Sequence, residues 1–181
     1  MLEDNKLVEL CLKNSKAGFE ELYKRFSAKM FGVCLRYSRN YHDAEDLMHE
    51  GFIRVFEKLK DFRSEGSFEG WLRKVMVSTA INFYHKNKTN HIDVEITEVP
   101  SDIEIFESTY SYISTKELLN YIHNLPDGYR MVFNLYVIEG YKHTEIAEIM
   151  NISESTSKSQ FMKARNYLKK MIMEVAYEKV I

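Results

Sequence analysis

Tyr141–Lys170 reads YKHTEIAEIMNISESTSKSQFMKARNYLKK. Ile146, Ala147, Ile149 and Met150 form a short apolar-periodic segment, which breaks at Asn151, Ile152 and Ser153. Ser157, Phe161, Ala164 and Leu168 then recur at spacings of four, three and four. This is the pattern of two helices joined by a tight turn, the second of them amphipathic. Asn suits the left-handed conformation that ends a helix, and Ser accepts the free amides that begin the next. Ala147 is small where two steeply crossed helices approach closely. The second helix offers Thr156, Lys158, Ser159, Gln160, Lys163 and Arg165 to solvent, side chains of the type that reach phosphates and base edges. A plain helical hairpin with a solvated Lys-rich face has the same local pattern, so the stretch leaves two readings open.

The chain around it narrows the choice. It has 181 residues, 45% of them hydrophobic, with only 7 Gly and 2 Pro. Long stretches rich in Glu, Lys, Leu and Ile point to an all-α fold. Cys11 and Cys34 lie in apolar-periodic segments without metal-like spacing, which predicts buried, reduced thiols of a cytoplasmic protein. The N-terminus does not read as a signal peptide, and no apolar run approaches membrane-spanning length. The net charge of -2 hides a partition. Residues 1–88 carry 16 Lys and Arg against 13 Asp and Glu, and residues 116–181 carry 9 against 8. Residues 89–115 hold six acids and no Lys or Arg. Both flanks are thus slightly basic around an acidic connection.

In chain order, Asp4–Lys13 reads as a short helix capped by Asp4. A long amphipathic helix follows from Lys16, with Phe19, Leu22, Phe26, Met30, Val33 and Tyr37 on one face. Arg39–His42 interrupts it, and Asp43 is expected to cap a third helix running to about Lys60. After the loop Asp61–Ser67, a fourth helix spans Phe68 to Lys86 with Trp71, Leu72, Val75 and Met76 assigned to the core. Four helices in this length make a compact domain. Thr89–Thr115 lacks a sustained helical period and reads as an irregular tether, with one short helical piece at Ile103–Tyr110. Further helices are expected at Lys116–Asn124 and, from Leu125-Pro126, through Met131, Val132, Leu135 and Tyr136. The expected architecture is two small helical domains, 1–88 and 116–181, joined by a flexible acidic linker, 89–115.

Two signatures now stand in order along the chain. Asp43-Ala44-Glu45-Asp46-Leu47-Met48-His49-Glu50-Gly51-Phe52 is followed by Asp61-Phe62-Arg63 and by Ser67-Phe68-Glu69-Gly70-Trp71-Leu72. Downstream come Leu125-Pro126, Tyr129-Arg130-Met131-Val132-Phe133, Gly140-Tyr141, Glu145-Ile146-Ala147, Ser153–Ser159 and Lys163-Ala164-Arg165. In these residues the chain resembles the bacterial RNA polymerase sigma factors of the extracytoplasmic-function (ECF) group, regions two and four. The resemblance covers almost everything except the linker.

That resemblance implies a non-catalytic subunit without cofactor or metal, with core RNA polymerase and promoter DNA as partners. Region two would dock on the β′ clamp coiled-coil through Glu45, Asp46, Leu47 and Glu50, where acids on a helix start suit a basic partner. The alternative for Asp43 and Glu45 is that they only cap the helix and complement its dipole. That is the reading taken for Asp43, whereas Asp46 and Glu50 are read as docking residues. Phe62, Arg63, Ser64 and Ser67 would hold a melted base of the minus-ten element, with Lys74, Ser78 and Asn82 along the same strand. Region four, near the β flap, would read the minus-thirty-five duplex with Lys158, Ser159, Met162 and Lys163, while Thr156, Gln160 and Arg165 meet phosphates. The sequence departs from the family at Ser157, where an apolar Val is usual, and at Gln160, where Arg is usual. It departs also at Lys142, where Ser is usual, and at Ser78, often Asn. Ser157 is therefore expected to weaken the turn's core, and Gln160 to remove a backbone contact. The linker acids Asp93, Glu95, Glu98, Asp102, Glu104 and Glu107 would mimic nucleic acid near the polymerase active site, and an anti-sigma partner is expected.

Two other classes fit parts of the sequence. A stand-alone helix-turn-helix regulator would be dimeric and bind a palindrome without polymerase, leaving Asp43–Phe52 and Phe62–Trp71 without a purpose. A di-iron carboxylate bundle would use Asp46 and His49 at i, i+3, but the second such pair is missing.

Overall fold

The structure, a computed structural model, describes residues 3–88 and 114–180. The expected tether, its helical piece at Ile103–Tyr110 and its six acids lie outside the described residues. Eight α-helices make up the described chain, with no strand among the described residues. The chain divides into two compact units, Met1–Lys86 and Asn87–Ile181.

The first unit contains α1 (Asp4–Leu12), α2 (Lys16–Tyr37), α3 (Tyr41–Lys58) and α4 (Phe68–Lys88). Ser15 caps α2 by accepting from the Gly18 amide at 3.3 Å. The cap of α3 is Asn40, whose Oδ1 accepts from the Asp43 amide at 2.8 Å. Asp43 is therefore inside the first turn, where its carboxylate complements the helix dipole instead of ending the helix. Asp4 is likewise the first helical residue, and its carboxylate pairs with Arg25 at 2.8 Å. Tyr41 and His42, expected in the break, already belong to α3. A tight 3₁₀ turn, Leu59–Asp61, finishes what the periodicity reads as the last turn of that helix.

The apolar stripes meet as their spacing requires. Leu7 of α1, Leu22 and Cys34 of α2, Ala44 and Val55 of α3, and Leu72 and Met76 of α4 are each fully buried. Burying a side chain of Leu size stabilises by about 1.5–3 kcal/mol. Helices α3 and α4 approach closely at Gly51, where an added Cβ would overlap the Met76 sulfur.

The second unit contains α5 (Thr115–His123), α6 (Asp127–Phe133), α7 (His143–Met150) and α8 (Glu154–Val180). Ser114 and Glu117 form a reciprocal capping box at the start of α5. Tyr121, Ile122, Leu125, Ala164, Leu168 and Ile172 form one core cluster, flanked by Tyr129 and Phe133. After α6 the backbone widens into a π-type turn over Asn134–Ile138. The sequence pattern gives no sign of that widening.

A buried cation organises the turn between α5 and α6. Arg130 is only 3% exposed and donates to the carbonyls of His123 (2.9 Å) and Leu125 (2.8 Å). It also pairs with Asp127 at 2.6 Å. Carbonyls left over at the end of α5 are thus satisfied by a side chain of the next helix.

Candidate nucleic-acid interfaces

The loop after α3 is shaped by two left-handed residues, Ser64 at φ 58° and Gly66 at φ 142°. These turn the chain so that Ser67 begins α4, its Oγ accepting from the Gly70 amide at 3.1 Å. The result is a concave pocket of about 400 Å³ lined by Asp61–Arg63, Glu65–Ser67, Gly70, Trp71 and Lys74. One wall is aromatic. The Phe62 ring lies 5.6 Å from Trp71 and 5.1 Å from Phe68, and Phe68 stacks on Trp71 at 5.8 Å and 16°. Trp71, assigned to the core from its spacing, is only half-buried, and its ring forms part of the pocket wall. The core position goes instead to its neighbour Phe68, which is 1% exposed. An apolar ring wall beside two cations and two carboxylates can hold a planar heterocycle by stacking and hydrogen-bond its edge.

Phe62, Arg63, Ser67 and Lys74 thus come together, as their sequence grouping predicts. Ser64 is drawn aside, its hydroxyl donating to Asn5 Oδ1 of α1 at 3.3 Å. Ser78 and Asn82 are exposed on α4 beyond the pocket. Sequence reasoning missed Asp61, Glu65 and Asn5. The acids flank the quoted loop residues, whereas nothing local links Asn5 to Ser64.

On α3, Asp46 is exposed and Glu45 and Glu50 are half-buried. Leu47 is only 1% exposed, so it belongs to the helix stripe that faces the core and cannot meet a partner. Besides Tyr41 at the helix start, at 62%, the large apolar residue exposed on this helix is Ile53, at 58%. It stands seven residues after Asp46 and therefore on the same face. Glu50 is paired with Arg54 at 2.6 Å, and His42 Nε2 is 3.8 Å from Asp46. No three His, Cys, Asp or Glu side chains among the described residues are grouped so as to hold a metal ion.

In the second unit the turn between α7 and α8 follows the sequence reading. Asn151 is left-handed at φ 52°, and the Ile152 amide reaches back to the Ala147 carbonyl at 3.0 Å. Ser153 Oγ accepts from the Thr156 amide at 3.0 Å. Lys142 leaves α7 without a side-chain cap, but the Glu145 carboxylate accepts from the Lys142 amide at 2.7 Å. Lys158, Ser159, Met162, Lys163 and Arg165 are exposed on α8, Met162 at 61%. Lys158 lies 2.6 Å from Glu154, and this hydrogen-bonded pairing holds the Glu154 carboxyl below the usual carboxylate range.

Three side chains depart from expectation. Thr156 is half-buried with its hydroxyl 2.8 Å from Ser153 Oγ. Gln160 is half-buried too, its amide near the backbone of Gly128. A role at a phosphate therefore requires it to swing outward. Ser157 is fully buried, yet its hydroxyl lies 2.9 Å from His143 Nδ1. A paired hydroxyl carries no desolvation penalty of the kind that would loosen the turn, which removes the reason to expect a weakened core.

The chain matches known proteins over nearly its whole length. Residues 22–89 match the family model of sigma-70 region 2, and residues 115–168 match that of sigma-70 region 4. An ECF RNA polymerase sigma-E factor of Haemophilus influenzae is 30% identical over 183 residues, covering 94% of this chain and 96% of its own. The ECF RNA polymerase sigma factor SigW of Bacillus subtilis is 27% identical, covering 94% and 97%. Among solved structures, the sigma factor RpoE of Bartonella quintana, crystallised with the anti-sigma factor NepR, shares the fold. It has a TM-score of 0.50 and 19% identity, covering 87% of this chain and 97% of its own.

Proposed function

Because the chain belongs to the ECF-type RNA polymerase sigma factors, we propose that its two interfaces divide promoter recognition between a melted strand and a duplex. The chain works as a specificity subunit and leaves the chemistry of RNA synthesis to the core polymerase. Residues 1–88 act as region two, 116–181 as region four, and 89–115 as the acidic linker near the polymerase active site.

The single observation that carries this division is the pocket between the 3₁₀ turn and α4. A duplex-only regulator has no use for a concave aromatic-walled cavity, because stacked bases cannot enter one. Here Phe62 and Trp71 provide the stacking wall for an unpaired minus-ten base, with Arg63, Ser67 and Lys74 at its edge. Ser78 and Asn82 continue along the strand. The α8 face with Lys158, Ser159, Met162 and Lys163 enters the major groove at minus-thirty-five, and Thr156, Gln160 and Arg165 lie toward the phosphates. Asp46, Glu45 and Glu50, joined by exposed Ile53, form the face offered to the β′ clamp, while region four meets the β flap. An anti-sigma factor would control access to these surfaces, and the working place is the cytoplasm. No helix of the described residues is long and apolar enough to cross a membrane.

Purified core polymerase plus this protein should give run-off transcripts from a specific promoter, whereas core alone gives none. A core that never binds the chain would refute the reading.

A further inference from the structure

One polar contact inside the second unit is placed to set the angle of the recognition helix. His143 is the first residue of α7, half-buried between two other elements. Its ring stacks on Tyr136 of the π-type turn at 4.3 Å and 11°, and Tyr136 lies 4.7 Å from Phe161 of α8. Its Nδ1 is 2.9 Å from Ser157 Oγ, a hydroxyl with no exposure to solvent. Ser157 immediately precedes Lys158 and Ser159, the exposed residues assigned to base edges. A buried apolar side chain at position 157 would anchor α8 by contact alone, and contact energy changes slowly as a helix turns about its axis. A buried hydroxyl with a side-chain partner behaves differently. Its hydrogen bond weakens steeply with distance and angle, and losing it strands a polar group away from water.

We propose that His143 is a positioning residue for promoter recognition. Its bond to Ser157 fixes the rotation of α8 and so the register in which Lys158, Ser159, Met162 and Lys163 meet the minus-thirty-five base pairs. This rests on the reading of the second unit as the duplex reader. The His143 ring does not touch DNA in this arrangement; it acts through Ser157.

The test uses the full chain with core polymerase. Run-off transcription compares a promoter carrying its minus-thirty-five element with the same promoter scrambled there, and a pre-melted template lacking that element serves as control. His143→Phe keeps a ring against Tyr136 but removes the hydrogen bond. It should lower the intact-to-scrambled ratio roughly tenfold, the scale of leaving one buried hydroxyl unpaired. Output from the pre-melted template should not change. His143→Asn returns a polar atom near the place of Nδ1 and should restore the ratio to within about twofold of wild type. The proposal is overturned if His143→Phe keeps the wild-type ratio, if its pre-melted output falls in parallel, or if His143→Asn fares no better than His143→Phe. A wild-type ratio of one would appear before any substitution. That would remove the duplex-reader assignment itself, and the proposal with it.

Discussion

The two interfaces proposed for nucleic acid have opposite shapes. The first offers a hollow with a wall of Phe62 and Trp71, backed by the buried Phe68 ring, and a rim bent by left-handed Ser64 and Gly66. The second offers a ridge, the exposed side of α8, where the side chains proposed to read the duplex occupy regular helical positions. A hollow is useful only for a base that has left its stack, and a ridge only for a groove that is still intact. The difference also decides where precision comes from. In the hollow it comes from loop backbone conformation, and on the ridge it comes from how the helix is held from behind.

The largest expected effect should separate the units outright. Arg130→Ala takes away the partner of Asp127 and the donors to the His123 and Leu125 carbonyls. Breaking a buried pair in this way costs about 3–5 kcal/mol. Hydrogen exchange should show amides of α6 and α8 losing protection while those of α2 and α3 keep theirs. Equal loss in both would mean that the units do not fold independently.

Next comes the hollow itself. Phe62→Ala should cost about 1–3 kcal/mol of promoter opening, the scale of one stacked base. Permanganate reactivity of minus-ten thymines would report it. Binding of a minus-thirty-five duplex fragment should stay as it was, so a fall there would blur the contrast between hollow and ridge. Lys163→Ala is the matching change on the ridge, at about 1–3 kcal/mol for a single base pair if the contact is to a base edge. Selection from a randomised minus-thirty-five library would show relaxed preference at one position. A uniform loss over all sequences would make Lys163 a phosphate contact instead. The smallest effect belongs to Asn5→Ala, which frees the Ser64 hydroxyl from α1. Losing one exposed hydrogen bond should slow opening roughly twofold, measured by the same footprint.

How far the sequence reached depends on how local each signal is. The turn at Asn151 and Ser153 was readable because capping acts over three or four residues. The start of α3 was misplaced because Asn40 and Asp43 are both good caps, and only the backbone shows which of them accepts the amide. Leu47 was placed on the docking face although its own periodicity assigned it to the core. The acidic signature around it outweighed that pattern. Trp71 shows the opposite error, since a large ring at core spacing can stand at the edge of a core and serve a cavity. The buried Arg130 had a faint signal, Asp127 three residues before it on a helix start. His143 and Ser157 had none, being fourteen residues apart and joined only by the fold. Ser157 could be flagged only as a departure from a family pattern, and the departure pointed toward weakness where the structure shows a partner.

Both cysteines of the chain, Cys11 and Cys34, lie buried in the first unit, and the second has none. Burial pushes the Cys34 thiol up to about 12, so at neutral pH it stays protonated and unreactive until its surroundings open. The protein therefore carries a natural one-sided clock. Timed alkylation would count each opening of the first unit and ignore the second, without any dye or engineered residue.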